Sequence, residues 1–303
     1  MRVEIVASTP LRFGDGSPVR AASGIARYAA GWLVVQDDAT HGCLWVDGAG
    51  SRVRLFSPVR GHDLFDEASG TKELKPDLEA VVALPDGRTL ALGSGSTPAR
   101  MRCVLLSETT VLVAGLVPVY AAVADALGVT ADRLNLEGAA VVGEVLRWFQ
   151  RGLPSAGAPS ASVDVALDSL LEVATGGPAA VRVAGVRRYD LGALAGVALA
   201  ITDAVALSGG LVLVSAVAED SPSTYDDGPV VGSALALLDG ERVVDLAELP
   251  LLDGAVAKIE GLALVGQRDD VLDLVAVVDA DDPAVPSLLL QLEVTPSWPR
   301  SLP

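Results

Sequence analysis

A short apolar stretch that carries a single acidic residue recurs along this chain at long and similar intervals. Its clearest copies read PDLEAVV at residues 76–82, LNLEGAA at 134–140 and AKIEGLA at 257–263. Aligning the related stretches gives five equivalent positions, here called the anchors: Ser23, Glu79, Glu137, Asp203 and Glu260. Successive anchors are 56, 58, 66 and 57 residues apart. A repeat of this length indicates a ring or a stack of similar structural units.

Each repeat contains about four short runs rich in Val, Leu and Ala, separated by turn signals such as LPDGRTL, LSGGLVL and LLDGERV. Gly-containing turns between such runs are typical of antiparallel hairpins. Four strands per repeat match the blade of a β-propeller, so we predict an all-β protein with one five-bladed propeller domain over residues 1–303. The last repeat is one strand short, and RVEIVAS at residues 2–8 is predicted to supply that strand and close the ring.

Two other architectures fit part of the pattern. A six-bladed ring is the alternative if segments 107–135 or 152–192 contain a further sheet. Against this, VPVYAAVADALG in the first segment has the pattern of a short helix within a connection. A β-sandwich gives no reason for the even spacing of the acidic residues, and a five-bladed ring is therefore favoured.

Charge and cysteine content narrow the classes of partner. The formal net charge of −17 argues against nucleic acid and against anionic membranes, because both require a concentrated basic surface. The N-terminal residues have no apolar segment followed by a small-residue cleavage site, so no signal peptide is predicted. Cys43 and Cys103 sit among apolar residues without metal-ligand spacing. We therefore expect a cytoplasmic protein with reduced thiols.

The anchors are expected to meet at one mouth of the central channel. In a propeller the first strand of each blade lines the channel, and its beginning shares a face with the loop after the second strand. Polar residues follow the predicted second strand in every repeat and would form a rim around this mouth. They are Asp37 and Asp38, Ser94 and Ser96, Gln150 and Arg151, Glu219 and Asp220, and Asp279 and Asp281. His41 and His62 lie in loops that are predicted to face the same mouth.

Four carboxylates and a serine hydroxyl around one axis create an electrostatic problem. Two like charges about 4–6 Å apart repel by a few kcal/mol at an effective dielectric constant of about 20. A bound cation, shared protons with raised pKa values, or nearby bases would each relieve this repulsion. An oxygen-only ligand set without clustered His or Cys favours a hard cation, Ca²⁺ before Mg²⁺. The predicted calcium ligands are Glu79, Glu137, Asp203 and Glu260, and the bases available instead are Lys75, Arg100, Arg151 and Lys258.

The strings KPDLEAV, LGSGS, NLEGA, FQRG, AEDSPSTYDDGPVVGSAL, KIEGLAL and DADDP extend over most of residues 20–294. Together they resemble a bacterial family that is defined only as a domain of unknown function. The resemblance implies a propeller fold and brings no known activity. The Glu-Gly anchors are more distantly similar to phytase-like esterase propellers and to five-bladed calcium-activated nucleotidases. In the nucleotidases, acidic channel residues hold a calcium ion near the substrate phosphates.

Two functions stay open at the level of sequence. The first is a metal-dependent hydrolase acting on a phosphorylated or ester small molecule. Its predicted catalytic residues are Asp37, His62 and Glu219, and its predicted substrate-binding residues are Lys75, Ser94, Ser96, Arg100, Gln150, Arg151, Tyr225, Lys258 and Asp279. The second is a non-catalytic propeller that binds a small polar ligand or a protein, since the fold serves both roles.

Overall fold

The computed structural model describes residues 1–153, 157–178, 180–220, 228–268 and 270–297. The first half of the chain forms β1 (Arg2–Pro10), β2 (Ala22–Tyr28), β3 (Gly31–Gln36), β4 (His41–Val46), β5 (Ala49–Arg54), β6 (Leu78–Ala83), β7 (Thr89–Gly93), β8 (Arg102–Leu106), β9 (Val111–Gly115), α1 (Val117–Leu127), β10 (Leu136–Val142) and β11 (Val145–Gln150). The second half forms β12 (Ser160–Ala166), α2 (Leu167–Ala174), β13 (Val183–Tyr189), β14 (Ala193–Leu194), β15 (Val197–Ala206), β16 (Val212–Glu219), β17 (Val230–Asp239), β18 (Arg242–Glu248), β19 (Ile259–Arg268), β20 (Val271–Val278) and β21 (Leu288–Thr295).

In the described part of the chain these strands form five antiparallel sheets arranged as the blades of a propeller, which confirms the predicted fold. Blade one is β2-β3-β4-β5, blade two β6-β7-β8-β9 and blade three β10-β11-β12-β13. Blade four is β14-β15-β16-β17-β18, and blade five is β19-β20-β21-β1. Tight turns connect the strands within a blade. Between β4 and β5, for example, Asp47 and Gly48 both have positive φ (48° and 84°), as a two-residue hairpin turn requires.

The ring is closed by the N-terminal strand, as the sequence predicts. β1 pairs antiparallel with β21, from Arg2 opposite Thr295 to Pro10 opposite Leu288. The terminal ammonium group of Met1 also lies 2.6 Å from Asp245 Oδ1 on β18, at the outer edge of blade four. Blade five is thus completed by residues from both ends of the described chain, so the last sheet cannot separate from the ring without breaking this ladder.

The two long segments that left room for a sixth blade instead belong to blades two and three. Segment 107–135 contains β9 and the predicted helix α1, and segment 152–192 contains β12, α2 and β13. Tyr120 of α1 packs edge-on against Trp148 of β11, with ring centroids 4.9 Å apart, inside the core shared by these two blades. The extra length therefore fills the space between two blades.

The five inner strands approach one another closely at the centre. A Cβ atom at Gly138 would lie 2.6 Å from the Cα of Asp203 in the next blade, and one at Gly261 would lie 2.7 Å from the Cα of Gly24. Real side chains do not tolerate such distances, so glycine is required where these strands meet. This close approach brings the residue before each glycine near the axis of the ring.

Candidate functional site: a charged pocket at the channel mouth

Every inner strand contains a bulge, near its start in four blades and in the middle of β15 in blade four. The pairing register shifts at Ser23, at Glu79, at Glu137-Gly138, at Thr202 and at Glu260. An unpaired residue in a bulge is re-aimed away from the regular strand face. Four of the five bulges therefore coincide with the anchors identified in the sequence, and blade four differs.

Asp203 is not equivalent to the other anchors. The anchor position of blade four is Thr202, one residue earlier, and the predicted role of Asp203 as a calcium ligand is corrected accordingly. Thr202 occupies the bulge, and its hydroxyl donates to the carbonyl oxygen of Ile259 at 2.6 Å. Ser23 makes the same interaction with Leu78 of the next blade, at 2.5 Å. Asp203 lies instead between the inner strands, where its Oδ2 accepts a 2.6 Å hydrogen bond from the amide of Leu262. It is 1% exposed, and burial raises its pKa well above the ordinary range.

The mouth contains a pocket of about 150 Å³ whose wall is dominated by charged groups. Among the residues that the structure describes, blades one, two, three and five contribute to its lining and blade four contributes none. The carboxylates in the lining are Asp37, Asp77, Glu79, Glu137, Glu260, Asp279 and Asp281. The bases are Lys72, Lys75, Arg100, Arg151 and Lys258, and Ser23, Ser96 and Asn135 are the polar uncharged residues.

Backbone hydrogen bonds tie the rim of this pocket together from blade to blade. The amide of Asp37 donates to the carbonyl of Ala21 at 3.1 Å, and the amide of Asp77 donates to the carbonyl of Asp37 at 3.0 Å. The carbonyl of Asp77 in turn accepts from the amide of Ser94, whose own carbonyl accepts from Leu136. The charged side chains therefore project from a backbone whose polar groups are already paired.

Blades one and two supply a cluster of three carboxylates, which we call the acid triplet: Asp37, Asp77 and Glu79. One oxygen from each lies within 4.8 Å of the others. Lys75 reaches into this cluster, with Nζ 2.5 Å from Asp37 Oδ2 and 2.7 Å from Asp77 Oδ1. Arg100 lies on the other side of Asp77, 2.9 Å from Oδ2. Asp77 adopts a left-handed backbone conformation (φ 57°), which is uncommon outside glycine and is enriched at functional sites.

The members of the triplet differ in their charge state. Burial raises the pKa of Glu79 well above its ordinary value, and the neighbouring carboxylates of Asp77 and Asp37 raise it further. Burial also acts on Asp77, but Lys75 and Arg100 outweigh it and lower the pKa of that carboxyl. The pKa of Lys75 is raised well above its ordinary value because the three acids outweigh its burial. A proton on Glu79 and the ammonium of Lys75 thus relieve the repulsion among the acids.

Blades three, four and five form a second group of ion pairs. Arg151 lies 3.0 Å from Glu137 Oε1 and 2.7 Å from Glu219 Oε2, so it joins blades three and four. Lys258 lies 3.1 Å from Glu260 Oε1 and 3.2 Å from Asp281 Oδ1. Its distance to Glu219 is longer, at 3.8 Å. Each base in this group is shared by more than one acid.

The second group also contains carboxyls that titrate near neutral pH. Burial raises the pKa of Glu260 to about 7, against the opposing effect of Lys258. Burial and the nearby Asp281 raise the pKa of Asp279 to about 6. Burial raises the pKa of Glu137 although Arg151 opposes the shift. For Glu219, by contrast, Arg151 and Lys258 outweigh burial and lower the pKa.

Two buried polar atoms of the pocket wall have no hydrogen-bond partner among the described residues. One is the acceptor Glu137 Oε2, on a residue that is 6% exposed, and the other is the donor Arg100 Nε. Unpaired buried polar atoms are costly and few in native proteins, so each calls for a partner from solvent, an ion or a ligand. The pocket therefore offers one free acceptor and one free donor in an otherwise paired network.

Most of the predicted substrate-binding residues are brought together here, but several have other roles. Ser94 is buried and donates to Asp77, and Gln150 fixes the local backbone by accepting from the Asn135 amide at 2.8 Å and donating to the Arg133 carbonyl at 3.0 Å. Neither side chain lines the pocket. Glu219 stands behind the lining, held by Arg151. Tyr225 lies outside the described residues.

Neither histidine takes part in the site, which corrects their predicted position at the mouth. His62 is exposed in a small hairpin with Val59, formed by two mutual backbone hydrogen bonds of 2.9 and 3.0 Å. His41 is buried on β4 against Phe13, with ring centroids 5.5 Å apart, and burial lowers its pKa to about 4. The backbone hydrogen bonds of the His62 hairpin are made within the hairpin itself, and none of them directs the imidazole ring toward the mouth. The predicted catalytic role of His62 is therefore withdrawn.

Asp77 and Asn135 are pocket residues that the sequence did not single out. Each lies two positions before a bulged glutamate, as does Lys258 before Glu260. This shared position, directly before the inner strand and two residues before its glutamate, is the signal that identifies them. Asn135 donates from Nδ2 to Glu137 Oε1 at 2.9 Å, which leaves only Oε2 of that carboxylate free.

The fold and this site define a five-bladed β-propeller with a densely charged pocket at one end of its channel. Within the described residues, no helix combines the length and the apolar character needed to cross a bilayer. Residues 71–283 match the sequence profile of a family of unknown function, DUF6910. The match covers more than half of the chain, and the protein belongs to this family.

Similarity to solved structures is remote. A candidate gluconolactonase aligns over 88% of this chain and 71% of its own, with 12% identity and a TM-score of 0.42. The apo form of AztD from Citrobacter koseri aligns over 91% of this chain and 76% of its own, with 8% identity and a TM-score of 0.30. No curated protein sequence matches the chain. These similarities are too distant to carry an argument about ligand or reaction.

Proposed function

We propose that the charged pocket binds a divalent cation together with a small anionic molecule, and that the protein is a cation-dependent hydrolase of a phosphorylated or ester compound. The acid triplet carries this proposal, because three carboxylate oxygens from three different residues lie within 4.8 Å of one another. Oxygens that each lie about 2.4 Å from one calcium ion are at most about 4.8 Å apart. The spacing therefore suits a common ion.

The chemistry of the donor set favours calcium. Asp37, Asp77 and Glu79 offer only oxygen, and Ca²⁺ accepts irregular sets of carboxylates more readily than Mg²⁺ does. A cation at the triplet takes the place of the Lys75 ammonium, which then turns toward the open pocket. The free Glu137 Oε2 on the opposite wall supplies a further unpaired oxygen of the same type. When bound, such an ion polarises a phosphoryl or carbonyl oxygen.

The bases of the pocket suit the anionic part of a substrate. Arg100 leaves its buried Nε without an acceptor while its Nη1 bonds Ser96 at 2.9 Å. Arg151 and Lys258 line the opposite wall. Guanidinium groups bind phosphate and carboxylate oxygens through charge-assisted hydrogen bonds. An anion between these walls would give Arg100 the acceptor that the described residues do not provide.

Glu260 is the residue best suited to act as general base. Its pKa of about 7 lets it accept a proton from water near neutral pH, and it lines the same pocket as the triplet. This role replaces two of the catalytic roles predicted from sequence. Asp37 is engaged by Lys75, and Glu219 is held by Arg151 with a lowered pKa. Lys258, at 3.1 Å, positions the carboxylate of Glu260.

Calcium titration of the metal-free protein tests the proposal. After chelation, calorimetry is expected to give one Ca²⁺ per chain, and ligand linkage predicts that saturating calcium raises Tm. Glu79→Gln removes one triplet ligand and is expected to weaken binding at least tenfold. Glu73→Gln makes the same chemical change at an exposed site six residues away and is the matched control. Equal affinity in the wild type and both variants would exclude the triplet as the metal site.

A non-catalytic binding role is the second candidate, and one observation favours it. Lys75, Arg100, Arg151 and Lys258 already pair with the acids of the pocket, so the site is electrostatically balanced to a large extent without any ion. The two candidates differ in turnover. Calcium-dependent release of phosphate or alcohol from aryl phosphates and aryl esters, lost in Glu260→Gln, supports the hydrolase. A Tm shift with ligand but no turnover supports the binding protein.

A further inference from the structure

A second, larger cavity opens directly from the charged pocket on the side of blades four and five. Its volume is about 520 Å³, and it lies between the loop 252–258 and the loop 279–288. We call it the apolar groove, because its lining includes the apolar side chains of Val230, Leu252, Val256, Val285, Pro286 and Leu288. All six side chains are partly or fully accessible to solvent. Clustered accessible apolar side chains beside a polar site are typical of ligand-binding grooves.

The walls of the groove are held in place by local hydrogen bonds. Leu252 and Ala255 exchange two backbone hydrogen bonds of 2.9 Å across the turn Asp253-Gly254, where both residues have positive φ. On the opposite wall the amide of Val285 donates to the carbonyl of Asp282 at 3.0 Å. A preformed wall reduces the entropic cost of ordering the site around a ligand.

Three charged residues belong to both cavities and form the passage between them: Lys258, Asp279 and Asp281. Lys258 bonds Asp281 at 3.2 Å, and Asp279 accepts from the amide of Ala21 at 3.0 Å. These contacts fix the three side chains that border both the polar pocket and the apolar groove. A molecule spanning the junction would therefore place its charged end and its apolar end in two chemically different environments.

The sizes of the two cavities indicate how a ligand divides between them. The charged pocket, at about 150 Å³, is smaller than the roughly 300–1,000 Å³ usual for sites that enclose a complete small molecule. The apolar groove, at about 520 Å³, lies within that range. The charged pocket thus accommodates a head group, and the adjoining groove accommodates the remainder of the molecule.

We infer that the substrate is an amphiphilic monoanion or dianion, whose phosphate or carboxylate head enters the charged pocket while an aliphatic or aromatic body occupies the apolar groove. The inference rests on the proposed function for the position of the head. It adds the substrate class, namely an ester or phosphate with an apolar group large enough to occupy the groove. Small sugar phosphates and free nucleotides, which carry polar bodies, fit this groove poorly.

Binding of a pair of alkyl phosphates tests the inference without requiring turnover. Calorimetry in the presence of Ca²⁺ compares methyl phosphate with hexyl phosphate, and we expect the hexyl compound to bind at least tenfold more tightly. Burial of about two methylene groups suffices for this ratio. Val285→Asp places a charge on the groove wall and is expected to abolish the tenfold gain, so that the two phosphates bind this variant with equal affinity. Val6→Asp is the matched control, because Val6 is an exposed valine on β1 that does not line the groove.

The outcomes separate this inference from the proposed function. Three results would each overturn the inference that the groove binds the apolar body. These are equal affinities for the two phosphates, no binding of either phosphate, and a preference for hexyl phosphate that survives in Val285→Asp. A preference for hexyl phosphate without calcium-dependent hydrolysis supports the groove as a binding site and contradicts the proposed hydrolase activity. If short and long substrates are hydrolysed at equal rates and bound with equal affinities, the hydrolase activity is supported and the role of the groove is contradicted. If Val285→Asp does not fold, Val256→Asp on the facing wall makes the same test.

Discussion

The guanidinium group of Arg151 lies 2.7 Å from the carboxylate of Glu219 and connects the third blade of the ring to the fourth. The other side of the same group lies 3.0 Å from Glu137. The side chains of all three residues are largely shielded from water, with 18%, 4% and 8% of their surface exposed. One arginine is thus the shared counter-charge of two buried carboxylates, a geometry in which loss of one partner is costly.

Replacing Arg151 with Met is expected to lower the free energy of unfolding by about 3–5 kcal/mol at pH 7.5, because two buried carboxylates lose their counter-charge. The deficit should shrink as pH is lowered to 5.5, because a raised pKa makes protonation of Glu137 easier and a protonated carboxyl needs no counter-charge. Urea denaturation measures both values. Arg182→Met is the control, since its pair with Asp168 is 62% and 73% exposed and solvent screens it. Equal losses in the two variants would contradict this account.

Replacing Lys75 with Met is expected to increase calcium affinity at least tenfold while lowering Tm in chelator. The ammonium now neutralises Asp37 and Asp77, so its removal leaves Arg100 beside Asp77 but takes away the cation that Asp37 and Asp77 share, until a metal enters. Calorimetry and thermal melting with and without Ca²⁺ measure the two effects. Arg88→Met is the control, because Arg88 pairs with Asp86 and neither residue lines the pocket. Unchanged calcium affinity in Lys75→Met would mean that the ammonium and the metal do not compete.

Glu260 is expected to make the folded state less stable as pH rises toward neutrality. Its folded-state pKa of about 7 lies above the ordinary 4.5, so the folded protein binds a proton that the unfolded chain releases between these values. The resulting stability is fully present below pH 4.5 and is lost as pH rises through 7, on the order of 2–3 kcal/mol. Denaturation between pH 4.5 and 8 should therefore show a smaller slope for Glu260→Gln. The exposed Glu248→Gln should keep the wild-type slope.

Asp203 is expected to matter for stability and not for metal binding. Asp203→Ala deprives buried backbone amides, that of Leu262 among them, of their acceptor, and should cost at least about 2 kcal/mol of unfolding free energy. Calcium affinity, measured by calorimetry, should remain within twofold of the wild type. Asp239→Ala, at an exposed position on β17, should change neither quantity appreciably. A large loss of calcium affinity in Asp203→Ala would restore this residue to the metal site.

The fold was accessible from sequence because its determinants are local and repeated. Hairpin turns such as Asp47-Gly48 follow from short-range backbone preferences, and the glutamates at 79, 137 and 260 recur because the same bulge forms in each blade. The closing strand could be predicted because the last blade lacked one strand, and the N-terminal segment was a strand that precedes the first complete blade.

The site could be predicted from the sequence only in part. Which side chains enter the pocket depends on bulges and side-chain conformations that the spacing of residues does not determine. Blade four carries Thr202 and Asp203 side by side, and the alignment chose the acid although the bulge holds the hydroxyl. His62 looked suitable by composition, but its hairpin closes away from the mouth. The partition of the bases among the acids depends on side-chain reach, as Lys258 illustrates with its three carboxylate neighbours.

The paired backbone around the rim, from Ala21 through Asp37 and Asp77 to Ser94 and Leu136, has a kinetic consequence. Dilating this aperture would break several amide–carbonyl contacts at once, so blade motion is a slow route for exchange. Rotation of a lysine side chain breaks far fewer contacts and occurs on much shorter timescales. We therefore expect the backbone of the rim to stay in place while lining side chains such as Lys75 reorient.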